Sequence, residues 1–78
     1  MGTKKIGTMT LVALSERSKT FSEVRKSLAE NGLKCASEDL EKSIIRLKRL
    51  GFITASREKA MNRYSLTALG QAVIENTK

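Results

Sequence analysis

The sequence contains no histidine, no proline and no tryptophan, and its one cysteine is Cys35. Without histidine, and with a lone thiol, zinc sites built from Cys and His are excluded within the chain, as are triads that rely on an imidazole. One cysteine makes no internal disulfide, which fits a reducing, cytoplasmic setting. The five glycines, at 2, 7, 32, 51 and 70, stand too far apart to form a phosphate-cradling loop. No apolar run approaches the roughly 18 residues needed to cross a bilayer. The start, MGTKKIGTM, carries lysines but lacks the apolar stretch and cleavage site of a secretory signal. No catalytic, cofactor or metal site is expected, and no enzyme.

What is present is a basic chain of 78 residues, expected to form one domain over 1–78 with 1–7 as a loose arm carrying Lys4 and Lys5. A chain of this size buries only about 60% of its unfolded surface, so nearly every apolar residue is needed for the core. Little room remains for an enclosed substrate pocket. The net charge of +7 is spread along the chain, with the last fifteen residues neutral. Such an excess suits a polyanion partner, and it equally suits a soluble surface biased to lysine.

Turn signals divide the chain. Met9, Leu11, Val12 and Leu14 predict a buried first helix over Thr8 to Glu16, and Ser15 to Lys19 is polar enough for a connection. A second helix is expected from Ser22 to Glu30, with Val24 and Leu28 on one face. Thr20 and Glu23 fit a capping box, with Ser22 as a competing cap. Asn31-Gly32 supplies the left-handed turn that ends this helix. Ser37 then caps a third helix, 37–50, in which Leu40, Ile44 and Leu47 form one stripe. Glu38 and Asp39 suit its positive end, and Lys48 and Arg49 its negative end before Gly51. Glu38 and Lys42 are spaced to pair at i+4.

From Phe52 the period changes to two. Ile53 and Ala55 alternate with Thr54 and Ser56, and Tyr64 and Leu66 alternate with Arg63 and Ser65. The polar run 57–62 reads as the exposed loop of a hairpin over 52–66. Thr67 caps a last short helix with Leu69, Val73 and Ile74 facing inward. The fold class is α+β, mainly α, in the order helix, helix, helix, hairpin, helix.

Over roughly residues 8–76 this pattern resembles the winged helix-turn-helix domain of MarR-, PadR- and ArsR-type transcription regulators. The resemblance lies in Thr20-Phe21-Ser22-Glu23-Val24 at the entry to the second helix. It continues in Leu40, Ile44 and Leu47 followed by Leu50-Gly51-Phe52-Ile53, and in Tyr64-Ser65-Leu66-Thr67-Ala68-Leu69-Gly70. It implies a three-helix core, a two- to three-stranded β-wing and a short C-terminal helix. It also implies a DNA-binding transcriptional regulator whose helix 37–50 enters the major groove of double-stranded DNA. The exposed helix positions Glu38, Asp39, Glu41, Lys42, Ser43 and Arg46, and the wing positions Arg57, Lys59 and Arg63, are the ones carried over. Of these, Lys42, Ser43, Arg46, Arg57, Lys59 and Arg63 are the candidate DNA contacts.

The three acids depart from the usual pattern, since small polar residues commonly stand there. A carboxylate can accept from cytosine N4, but near phosphates it opposes binding. The alternative reading is therefore a winged-helix module that docks protein partners without touching DNA. The resemblance is also compatible with a homodimer, for which the first helix and Leu69, Val73 and Ile74 are the candidate surfaces.

Overall fold

The computed structural model describes residues 2–77, with side chains described for 5–76. The element order is α1 (Gly2–Glu16), β1 (Lys19–Thr20), α2 (Phe21–Glu30), α3 (Ser37–Leu50), β2 (Ile53–Glu58), β3 (Met61–Leu66) and α4 (Ala68–Thr77). The three strands form one antiparallel sheet in the order β1-β3-β2. No helix among the described residues is long and apolar enough to cross a membrane.

α1 starts six residues earlier than its sequence suggests. Glycine and threonine weaken helix propensity there, but Ile6 lies on the same face as Thr10 and Ala13 and is buried with them. Packing overrides propensity, and the expected loose arm is helical from Gly2, although the side chain of Lys4 lies outside the described residues. At the other end, Lys19 is buried and donates from Nζ to the Ala13 carbonyl at 2.7 Å. A cation on the C-terminal carbonyls of a helix satisfies an acceptor and opposes the macrodipole at once. The expected connector thus shrinks, because Lys19 and Thr20 pair with Tyr64 and Arg63 as a third strand.

α2 opens on the expected capping box. Thr20 Oγ1 accepts from the Glu23 N–H at 3.4 Å, and Glu23 Oε1 accepts from the Thr20 N–H at 2.9 Å. Thr20, rather than Ser22, is the cap. The helix ends in a Schellman motif, with the Gly32 N–H on the Ala29 carbonyl and the Leu33 N–H on that of Leu28. α3 ends the same way, with Gly51 donating to Lys48 and Phe52 to Leu47. Gly51 has φ 84°, a left-handed backbone that a Cβ disfavours. The start of α3 differs from expectation: Ser37 is already inside the helix, and the cap is Ala36, which supplies no side-chain hydrogen bond.

The core is Ile6, Leu11, Ala13, Leu14, Val24, Leu28, Leu40, Ile44, Leu47, Ile53 and Ile74, with Cys35 and Tyr64 packed at its margin. Leu69 is not part of it. Thr67 caps α4, accepting from the Gly70 N–H and donating to the Gly51 carbonyl, and this start leaves Leu69 beside Gly51 and 53% exposed. Ile74 is buried instead. Of the apolar α4 residues expected at a dimer surface, Leu69 is the exposed one, with Val73 half-buried.

Candidate nucleic-acid interface

α3 packs on α1 and β2 through Leu40, Ile44 and Leu47, so its opposite face is turned to solvent. At 100° per residue, Glu38, Lys42 and Arg49 lie at the middle of that outer face. Asp39 and Arg46 flank it on one side, and Glu41, Ile45 and Lys48 on the other. All of these are exposed.

Ser43 does not join them. It lies about 60° from Leu40 on the helical wheel, inside the buried stripe. It is 2% exposed, and its hydroxyl has no hydrogen-bond partner. A side chain in that position cannot meet a base edge, so the expectation that Ser43 reads DNA is corrected. The i+3 step from Leu40 was the signal that could have placed it.

The hairpin is tighter than its polar sequence implied. Pairing continues through Arg57↔Asn62 to Glu58↔Met61, leaving Lys59 and Ala60 as a two-residue turn. Lys59 has φ 56°, and among the described residues it is the one non-glycine with positive φ. Positive φ at the first of two turn residues is what a II′-type hairpin asks for, normally of glycine. Lys59 is exposed at the tip of the hairpin. Arg57 shares a sheet face with Ala55 and, across the ladder, with Asn62 and Tyr64.

Arg63, the third wing candidate, is engaged within the protein. Its Nε donates to Glu58 Oε1 at 3.2 Å and its Nη1 to the Ser18 carbonyl at 3.2 Å, with Glu23 Oε1 3.8 Å from Nη1. Glu23 thereby links the start of α2 to the wing. Its carboxyl is held below the ordinary glutamate value, first by the Thr20 N–H and then by the Arg63 and Arg17 charges.

Lys42, Arg46, Arg57 and Lys59 are free of such ties. Among the described residues the ion pairs are Lys19–Glu16, Arg63–Glu23 and Arg63–Glu58. Lys42, Arg46, Arg57 and Lys59 take no part in them, and the i+4 pair expected between Glu38 and Lys42 is not formed. Between α3, the start of α2 and β3 runs an open groove of about 460 Å³, lined by Phe21, Glu41, Ile45, Lys48, Met61 and Tyr64 among others. No group of three or more His, Cys, Asp and Glu that could hold a metal ion occurs among the described residues.

No protein-family model and no curated protein matches the chain. Solved structures do, over nearly its whole length. A transcriptional regulator from Clostridium thermocellum, Cth-833, superposes with a TM-score of 0.87 at 18% identity, covering 95% of this chain and 77% of that one. The chain has the winged helix-turn-helix fold. A PadR family transcription regulator from Clostridium difficile R20291 gives a TM-score of 0.84 at 18% identity, over 92% of this chain and 81% of its own. BpsR of Bordetella bronchiseptica, whose DNA binding is regulated by 6-hydroxynicotinic acid, gives 0.81 at 22% identity over 92% of this chain. The present chain spans half the length of BpsR. In the winged-helix frame α2 and α3 are the helix-turn-helix pair, and β2 and β3 the wing.

Proposed function

We propose that this winged-helix chain binds double-stranded DNA as the DNA-reading part of a transcriptional regulator. α3 enters the major groove and the β2–β3 wing lies along the adjoining backbone. The observation that carries this reading is the set of cations without protein partners: Lys42 and Arg46 on the outer face of α3, Arg57 and Lys59 on the wing. Long side chains from Lys42 and Arg46 reach phosphate or guanine past the acids of the first turn. Arg57 and Lys59 contribute phosphate contacts, while Arg63 braces the wing that presents them.

Salt titration with mixed-sequence duplex tests it. Affinity falls on a log–log plot with a slope of about −0.9 per phosphate contact. Neutralising Lys42, Arg46, Arg57 or Lys59 each makes that slope shallower by up to the same step. Absence of binding at low salt would sink the reading.

A second reading rests on Glu38, Asp39 and Glu41, which are exposed and unpaired at the start of α3. A protein-docking module with a basic partner surface would use them. In that case substitution of these acids abolishes partner binding, and duplex DNA is not bound.

A further inference from the structure

Ile45 is out of place on the outer face of α3. It is 52% exposed, with the exposed cations Lys42, Lys48 and Arg49 one helical turn from it. It adds little to the core and keeps apolar surface in water. Met61, on the wing, is likewise 52% exposed, and Phe21, Met61 and Tyr64 line the same groove as Ile45. Glu41, Ile45 and Lys48 recur at i, i+4 and i+7, so they form a single line along that side of the helix.

The charges on this line limit what can approach it. Glu41 repels phosphate from its end of the groove, whereas Lys48 attracts anionic density at the other end. A sugar–phosphate strand is therefore drawn to Lys48 and to the cations of the outer face of α3, and a neutral, apolar edge is left for Ile45. In the DNA major groove that edge is the C5-methyl of thymine, the one apolar group the base pairs present there. We infer that Ile45 reads a thymine methyl at the rim of this groove. The inference rests on the placement of α3 in the major groove and adds to it the base that one residue selects. Ile45 is a specificity-determining residue, and because it stands outside the core its truncation leaves the fold intact.

The test uses duplexes selected from a random pool by the full chain. In the selected site each thymine is replaced in turn by deoxyuridine, which removes only the methyl group. Binding is measured with the wild-type chain and with Ile45→Ala. One thymine position is expected to weaken wild-type binding about fourfold on replacement, the worth of one buried carbon. Ile45→Ala is expected to bind the thymine duplex about as weakly as wild type binds the deoxyuridine one, and to ignore the replacement. The inference is overturned if no thymine matters, or if the loss is the same in Ile45→Ala. It is also overturned if Ile45→Ala alters self-association in sedimentation while leaving thymine dependence untouched. Failure of the underlying DNA-binding reading looks different, because then no unmodified duplex is bound at low salt.

Discussion

A hydroxyl buried without a partner costs free energy, and Ser43 Oγ is in that state at 2% exposure. Leaving such a group unsatisfied costs about 1–3 kcal/mol, and alanine is also the better helix former. Ser43→Ala is therefore expected to stabilise the fold by about 1 kcal/mol, read as a higher urea midpoint at unchanged m. DNA affinity should not move, because the residue faces inward. Gly70 presents the opposite case. Alanine there would normally gain about 1 kcal/mol of helix propensity. Its Cβ, however, would collide with the Phe52 carbonyl oxygen, just before β2, and with the Leu66 side chain at the end of β3. Backbone does not give way as a flexible side chain does, so overpacking of about 1–3 kcal/mol outweighs the gain. Gly70→Ala should lower the unfolding midpoint.

Among the elements, the wing is held by a polar clamp. Arg63 joins β3 to the Glu58 side chain, the Ser18 carbonyl and, through Glu23, the capping box of α2. Because the folded-state pKa of Glu23 lies below the ordinary value of 4.5, its contribution is complete above that value. It is lost as pH falls through the lowered pKa. Glu23→Gln should flatten the acid limb of the stability–pH curve in that window while leaving far-UV helix content near wild type at pH 7. At the wing tip, stability and function point in opposite directions. Lys59 holds a left-handed backbone at a cost of about 1 kcal/mol. Lys59→Gly should stabilise the hairpin slightly and yet weaken duplex binding with a shallower salt slope. The first helix supplies a third check. Ile6 is 4% exposed, so Ile6→Ala should cost about 2–5 kcal/mol, whereas an arm loose over 1–7 would lose nothing.

At the scale of the whole molecule, α1 is the hub, packing against α2, α3, α4 and β3. The helix-turn-helix pair and the wing are thereby fixed to one scaffold, which sets the groove between them. The basic excess is divided by that scaffold into two populations. Lys19 and Arg63 are used inside the fold, and Lys42, Arg46, Arg57 and Lys59 stand exposed without an ion pair. Composition could not make this division, because a lysine bound to a carbonyl and a lysine in water contribute alike to net charge.

Local chemistry wrote much of the fold into the sequence. The Thr20–Glu23 box, the glycine stops at 32 and 51, the Leu40–Ile44–Leu47 stripe and the change of period at Phe52 each depend on neighbours within a few residues. Those signals decide element type and order, and they led to the correct fold class. What they could not decide depended on contacts between distant segments. Ile6 makes a helix of the chain's start by packing, and Lys19 becomes a strand by pairing with Tyr64. Arg63 is drawn into the fold by carboxylates forty residues before it and five before it. Ser43 loses its access to solvent because it falls on the side of α3 that packs against the rest of the fold. Tertiary packing therefore chose which polar residues remain available to a partner, since availability is a property of the space around a side chain and not of its place in the sequence.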